Sequence, residues 1–155
     1  MENKLNNNFY DFMHNFDNLF DLMVAYKSIP KCYGNTPILY PAEIHLLCDI
    51  YAGINSVTEL SAKRHSSKSA ISQVIKRLMT KGFIEKHLND TDRRSYTFEL
   101  TSNGKTAVMN HTAMDRQLCD YILDSMGPIT VEEQLMLNRF LESLLSFYSS
   151  NNKGK

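Results

Sequence analysis

Apolar side chains recur along most of the chain at intervals of three and four residues, the spacing that gathers them on one face of an α-helix. A broad apolar stripe predicts a first helix over residues 9–28, followed by a loop from Pro30 to Pro41. Pro41 suits the first position of a second helix, which Gly53 ends. We expect the inner face of this helix to carry Ile44, Leu47, Cys48 and Tyr51.

Two capping-box patterns mark the starts of further helices. In this pattern a hydroxyl group and a carboxylate three residues later satisfy backbone N–H groups that have no partner within the helix. Ser56 and Glu59 open a short helix that runs to about Arg64, and Thr130 and Glu133 open the last helix. The apolar side of the last helix is predicted to hold Leu137, Phe140, Leu141, Leu144, Leu145 and Tyr148.

A fourth helix has two faces of different character. Ser66 or Ser67 can cap it, it runs to Lys81, and Gly82 stands where the chain needs a left-handed turn. Its inner face carries Ile71, Val74, Ile75 and Leu78. Its outer face carries Lys68, Ser69, Ser72, Gln73 and Lys76, with no large apolar residue among them.

The period of the pattern then changes to the alternation that is typical of strands. Residues 83–88 and 95–100 are predicted strands, and the six polar residues between them form the tip of a hairpin. Thr101 is placed to cap a long helix over about 102–125, which Gly127-Pro128 ends.

The composition is that of a folded protein, with 43% apolar and 22% charged residues. The N-terminus is polar, and no run approaches the roughly 20 apolar residues that a membrane span needs. The three cysteines are odd in number and lack a CxxC spacing, so we expect reduced thiols and no cofactor. These features predict a soluble, cytoplasmic protein with no membrane partner.

Basic residues are concentrated in the middle of a chain whose net charge is zero. Between Lys63 and Arg94, nine basic residues stand against three acidic ones, a local excess of six positive charges. Such an excess in a neutral protein indicates an anionic partner.

The order of helix, short helix, helix and hairpin suits duplex DNA, because the major groove is about 12 Å wide and admits one α-helix. Ser69, Ser72 and Gln73 have small or planar groups that fit base edges, whereas Lys68 and Lys76 are placed for phosphates. The backbone N–H groups at the helix start favour a further phosphate, at Ser66, Ser67 and Lys68.

The hairpin tip supplies a second predicted contact. Arg93 and Arg94 can present a guanidinium to the minor groove, where the negative potential is strongest. Asp90 and Asp92 would be repelled by phosphate, so we expect them to pair with basic side chains and to orient the hairpin. For an isolated arginine pair, a solubilising role in the turn is as good an interpretation as DNA binding, but the position of this pair between two strands after a basic polar helix favours DNA binding.

These elements together resemble the MarR family of bacterial transcription regulators. The matching segments are Glu59-Leu60-Ser61, Ser69 to Leu78, Lys81 to Lys86, Asp90 to Arg94, and Leu100 to Gly104. The resemblance implies a mainly α (α+β) winged helix-turn-helix fold with a two-stranded β wing and dimerisation helices at both ends. It also implies a homodimer that binds pseudo-palindromic operators, usually as a repressor relieved by a ligand or another signal. The sequence departs from the family's pattern at Tyr40, which puts the cap of the second helix in question, and at Lys86, where the family has arginine.

The same resemblance implies how the chain is divided. Within one structural domain, residues 1–30 form an N-terminal dimerisation helix and 38–103 the DNA-binding lobe. Residues 104–149 form C-terminal dimerisation helices, and 150–155 form a flexible tail.

Three kinds of signal remain open. A small organic ligand could enter a crevice lined by Phe16, Phe20, Tyr26, Tyr33, Ile44 and Leu47, although each of these also fits a core position. Cys32, beside Lys31 in a loop, is the candidate for oxidation. Glu43, His111 and Asp115, with Cys32 and His45 nearby, are weak metal candidates, and their incomplete pattern predicts no metal site.

Two other classes of function compete with DNA binding. The sequence has no P-loop, GxSxG or HExxH motif, so we do not expect an enzyme. A winged helix can also serve as a protein-interaction module, but such a module does not need a helix face of serine, glutamine and lysine beside an arginine pair.

Overall fold

The computed structural model describes residues 2–34, 36–88 and 96–151. These residues form six helices and one two-stranded antiparallel sheet. In chain order the elements are α1 (Glu2–Ser28), α2 (Pro41–Tyr51), α3 (Val57–Lys63), α4 (Lys68–Thr80), β1 (Ile84–Leu88), β2 (Tyr96–Leu100), α5 (Ser102–Met126) and α6 (Val131–Asn151). This is the winged helix-turn-helix order that the sequence predicts.

The predicted caps form at most of the helix starts. The Ser56 hydroxyl accepts from the Glu59 N–H at 3.3 Å and donates to the Glu59 carboxylate at 2.7 Å. The Thr130 N–H donates to the Glu133 carboxylate at 2.8 Å, and the pKa of that carboxyl is lowered chiefly by this backbone hydrogen bond. Of the two serines that could cap α4, Ser67 does so.

At the start of α2, Tyr40 takes part in the helix cap through its backbone and not through its side chain. Its side chain makes no capping hydrogen bond, but its backbone N–H donates to the Glu43 carboxylate at 2.9 Å. A side chain in the first turn of α2 therefore provides the hydrogen-bond acceptor for the backbone N–H of the residue that precedes the helix.

Residues with a positive φ follow the ends of α3 and α4. Gly82 has a φ of +75°, and the Phe83 N–H reaches back to the Leu78 carbonyl at 2.9 Å, which closes α4 as predicted. His65 ends α3 with a φ of +48°, a conformation that costs a non-glycine residue free energy. These two stops fix the turn before α4 and the turn into the sheet.

The core lies where α2, α3, α4, the sheet and the start of α5 meet. Leu60, Leu78 and Phe83 are fully buried there. The start of α5 comes so close to the sheet that a Cβ on Gly104 would lie 2.2 Å from the Phe83 carbonyl oxygen. Only a residue without a side chain fits at this position.

The expectation for the inner face of α2 was partly wrong. Ile44 and Leu47 are buried as predicted, but Cys48 is only half-buried and Tyr51 is exposed. The helix is covered over a wider arc than one stripe, because it packs against both α4 and β2. Its buried residues are Glu43, Ile44, Leu46, Leu47, Asp49 and Ile50.

The chain divides into two compact units, residues 1–112 and 113–155, with the boundary inside α5. In the second unit, α6 buries none of its residues, and Leu145 is 67% exposed. In the first unit, α1 is exposed along its described side chains apart from Met13 and Phe16, which are half-buried. Both units therefore carry large apolar side chains in contact with solvent. Among the described helices, none has the length and apolar character needed to cross a membrane.

Candidate nucleic-acid interface

The outer face of α4 is polar and open to solvent. Its buried side consists of Ile71, Ile75 and Leu78, which anchor the helix to the core. Seven predicted DNA-binding residues of the helix and its N-terminal turn are all exposed: Ser66, Ser67, Lys68, Ser69, Ser72, Gln73 and Lys76. The Ser67 hydroxyl accepts the Ala70 N–H at 3.1 Å, so its first role is to cap the helix.

The two strands pair in the register that brings Ile84 opposite Leu100 and Leu88 opposite Tyr96. The Phe98 N–H donates to the Asn55 carbonyl at 3.1 Å, which ties β2 to the turn before α3. We call β1, β2 and the residues between them the wing. Its tip, including Asp90, Asp92, Arg93 and Arg94, lies outside the described residues, so the predictions for these four stay predictions.

The wing and α4 face a common crevice of about 440 Å³. Ser72, Lys76 and Met79 line it from the helix, and Lys86 and Tyr96 line it from the strands. The polar helix face and the wing thus belong to one continuous surface, which is what simultaneous contact with one duplex requires.

Lys86 and Tyr96 are site residues that the sequence reasoning missed. The Lys86 ammonium lies 3.3 Å from the centroid of the Tyr96 ring, a cation–π contact across the two strands. This contact holds the cation at the rim of the crevice. In the sequence, Lys86 stood out only because the family has arginine at this position.

A buried carboxylate on α2 holds the end of α4. Glu43 is 0% exposed and accepts from the Lys81 ammonium at 2.7 Å and from Arg77 Nε at 3.2 Å. Lys81 also donates to the Ile38 carbonyl at 2.9 Å, which links the loop before α2 to the same cluster. Burial opposes ionisation of Glu43, but the hydrogen bonds from Lys81, the Tyr40 backbone and Arg77 outweigh it and lower the pKa of the carboxyl.

A second buried carboxylate holds α3. Asp49 pairs with the Lys63 ammonium at 2.8 Å and with Arg64 Nε. The Arg64 guanidinium also donates to the His45 carbonyl at 2.7 Å. Asp49 and Glu43 therefore fix the two helices of the helix-turn-helix on α2 through ion pairs.

These ion pairs reduce the positive charge that the basic middle segment can offer to a partner. Four of its nine basic residues are engaged by the two carboxylates: Lys63, Arg64, Arg77 and Lys81. The net positive charge offered to a partner is therefore smaller than the sequence count. Glu43, a weak metal candidate in the sequence, instead has both carboxylate oxygens occupied by cations, so that candidacy was wrong.

The six candidate residues for a ligand crevice are not gathered into one lining. Tyr33, Ile44 and Leu47 are buried in the core, whereas Phe20 and Tyr26 are exposed on α1 and Phe16 is half-buried. The ligand crevice stays a prediction.

The candidate thiol Cys32 is exposed, as a sensor thiol must be. The cation beside it in the sequence points elsewhere, because the Lys31 ammonium lies 3.5 Å from the centroid of the Tyr26 ring. The oxidation of Cys32 also stays a prediction.

Histidines from α2 and α5 lie side by side in the first unit. The rings of His45 and His111 have centroids 5.7 Å apart, and Tyr33 packs edge-on against His111 at 5.5 Å. Asp115 is exposed on α5. Zinc sites need three or four protein ligands, and the described part of the chain has no group of three histidine, cysteine or acidic residues that could hold a metal ion. These residues do not make up a zinc site.

The chain is similar to known proteins in one segment of sequence and in its fold. A model described as the MarR family matches residues 39–96. Curated protein sequences gave no match. Among solved structures, Streptococcus pneumoniae FabT in complex with DNA has a TM-score of 0.73 at 16% identity, over 92% of this chain and 98% of that chain.

Two further structures share the fold. The zinc-responsive MarR family member ZitR from Lactococcus lactis has a TM-score of 0.66 at 17% identity, over 88% of this chain and 99% of that one. A mutant of MarR from E. coli complexed with operator DNA has a TM-score of 0.55 at 23% identity, over 69% and 76%. Residues 39–96 thus match the model of the MarR family, and the chain that carries them has the winged-helix fold of MarR-family structures.

Proposed function

We propose that this protein is a transcription regulator, not an enzyme, that binds double-stranded DNA as a homodimer. The observation that carries the proposal is the shared surface of α4 and the wing, on which Ser72 and Lys76 stand across one crevice from Lys86 and Tyr96. A major groove that receives α4 brings the neighbouring phosphates to the wing.

The chemistry of α4 supports this assignment. Gln73 and Ser69 are exposed on the outermost line of the helix, where they can hydrogen-bond base edges. The side chains of Lys68 and Lys76 are exposed and form no ion pair with a described residue, so their ammonium groups are available for phosphates. Of the solved structures with this fold, FabT and the E. coli MarR mutant contain DNA.

The exposed apolar side chains support the dimer. Large apolar residues are exposed on α6 to an extent that is unusual for a monomeric protein: Val131, Leu135, Met136, Leu137, Leu141, Leu145, Phe147 and Tyr148. Helix α1 exposes Phe9, Phe12, Leu19 and Phe20 in the same way. A second copy of the chain would cover such surfaces and would set two copies of α4 on one duplex.

The regulatory mode that we propose is repression of a pseudo-palindromic operator, relieved by a small ligand. The support for it is the match of residues 39–96 to the model of the MarR family, since release by a ligand is the usual behaviour that the sequence resemblance implies.

The test is a mobility shift of duplex DNA over a series of salt concentrations. Binding dominated by phosphate contacts predicts that log K falls steeply and linearly with log salt, with a slope of about −0.9 per phosphate neutralised. The matched variants are Lys76→Gln, which should reduce the slope, and Lys105→Gln, an exposed lysine of α5 outside the surface, which should not. A wild-type protein with no duplex affinity at low salt would refute the proposal and favour a protein-interaction module.

A further inference from the structure

Arg77 lies on α4 beside residues that are proposed to bind DNA. It is on the flank of α4 that faces α2, opposite the flank that faces the wing. Its side chain is 50% exposed, although its Nε donates to the fully buried Glu43. Its two terminal guanidinium nitrogens have no hydrogen bond to any residue in the described ranges.

Arg77 is one of the residues that line an open depression of about 360 Å³. The depression is lined by Gln73, Lys76, Arg77, Thr80 and Lys81. Lys76 and Thr80 also line the crevice on the wing side, so the two depressions lie on either side of one ridge of α4. A helix in the major groove has a phosphate backbone on each side, so with α4 in that groove this second depression would face the backbone away from the wing.

The charges in this depression favour an anion. Glu43 carries one negative charge, which Arg77 and Lys81 together exceed, and Lys76 adds another cation at the rim. The surface is therefore positive even though two of its cations pair with a buried carboxylate. It offers the amide donors of Gln73 as well, whereas the Thr80 hydroxyl already donates to the Lys76 carbonyl at 2.9 Å.

The buried carboxylate also prepares the arginine for binding. A free arginine side chain loses rotamer entropy when it is fixed, and an arginine already held at Nε has lost part of that entropy before it binds. The terminal nitrogens of a guanidinium form a planar fork that matches two phosphate oxygens. Glu43 thus leaves the phosphate-binding edge of Arg77 exposed while it restrains the other edge.

We propose that Arg77, held by Glu43, binds a backbone phosphate of the DNA strand on the α2 side of α4. The ligand is a phosphodiester of duplex DNA, and the proposal rests on the proposed function. Glu43 is here a positioning residue, which acts on DNA only through Arg77 and Lys81.

The experiment measures duplex affinity by fluorescence anisotropy for the wild type and for Arg77→Gln, across a salt series. Two labelled duplexes are used, one enriched by the wild type from a random pool and one of scrambled sequence. We expect Arg77→Gln to weaken both to the same extent, by about tenfold at low salt, and to reduce the salt slope by about one per subunit, hence about two per dimer. Arg139→Gln, the same change at an exposed arginine of α6, should leave affinity and slope unchanged.

Positioning is tested by Glu43→Gln in two backgrounds. With Arg77 present, loss of the carboxylate should weaken binding several-fold. With Arg77 already replaced by glutamine, the same change should have much less effect. Equal effects in both backgrounds would refute the positioning role, and if Glu43→Gln does not fold, Arg77→Gln still decides the phosphate contact.

The outcomes separate this inference from the function on which it rests. If the wild type binds neither duplex, the proposed function fails. If the wild type binds and Arg77→Gln matches it in affinity and slope, only the phosphate contact is overturned. A loss confined to the enriched duplex would also overturn it, because a phosphate contact weakens binding to all sequences alike.

Discussion

Replacing Glu43 by glutamine tests how α4 is attached to α2. The side chain is 0% exposed and accepts three hydrogen bonds, from Lys81 at 2.7 Å, from the Tyr40 N–H at 2.9 Å and from Arg77 at 3.2 Å. Glutamine has nearly the same size and keeps one acceptor oxygen. It removes the negative charge and adds two hydrogens that face cations.

The expected loss follows from these contacts. A hydrogen bond to a charged group contributes about 1.5–3 kcal/mol, and removing one partner of a buried ion pair costs about 3–5 kcal/mol. Lys81 and Arg77 keep part of their side chains in water, at 24% and 50% exposure, so they lose less than buried cations would. We therefore expect Glu43→Gln to lower the free energy of unfolding by about 2 kcal/mol at neutral pH.

The loss should depend on pH in a defined direction. The folded state lowers the pKa of Glu43 below its ordinary value of 4.5, so the ionised carboxylate stabilises the fold fully above pH 4.5. This contribution disappears as the pH falls through the folded pKa, because the protonated carboxyl resembles glutamine. The two stability curves should run parallel near neutral pH and converge below pH 4.5.

The assay is urea unfolding followed by circular dichroism, at a series of pH values, for both proteins. Glu142→Gln is the matched control, since Glu142 is exposed on α6, and we expect it to change stability by less than about 0.5 kcal/mol. A Glu43→Gln loss as small as that of the control, or one that stays constant down to the lowest pH at which the protein folds, would refute this reasoning.

Three other substitutions have clear expected outcomes. Gly104→Ala should destabilise the protein by about 3 kcal/mol in urea unfolding, because the new Cβ would lie 2.2 Å from the Phe83 carbonyl oxygen. A loss of stability below about 1 kcal/mol would contradict this close contact between α5 and the Phe83 backbone. Arg94→Ala should weaken duplex binding by about 1–3 kcal/mol, more on A/T-rich flanks, with unchanged thermal unfolding. Leu141→Glu should convert a dimer to a monomer in sedimentation, whereas Ser143→Glu, on the opposite side of α6, should not. Equal behaviour of the two α6 variants would argue against this face as the dimer contact.

Local signals allowed much of the fold to be predicted from the sequence. The side-chain cap at Ser56, the capping box at Thr130 and the stop at Gly82 act within a few residues of chain, so they follow from the local residue types, although the Glu59 carboxylate accepts from the Ser56 hydroxyl and not from its backbone N–H. The polar face of α4 was predictable for the same reason, because its period separates it from Ile71 and Ile75.

The interactions that depend on distant parts of the chain were not predictable. Glu43 is 34 and 38 positions from its two basic partners, and no local pattern indicates that a charged residue of α2 will be buried. Tyr51 was placed on the inner face by its period, but the actual packing of α2 leaves it exposed. The anchoring of Arg77, and hence its candidate role at DNA, follows only once α2 and α4 are brought together.

Selection of bound duplexes from a random pool is the most direct test of DNA recognition by this protein. Two copies of α4 set by a dimer should enrich two inverted half-sites whose centres lie about one helical turn, 10–10.5 base pairs, apart. Enrichment of that spacing is the expected result. Recovery of no preferred sequence, or of a single unpaired half-site, would contradict it.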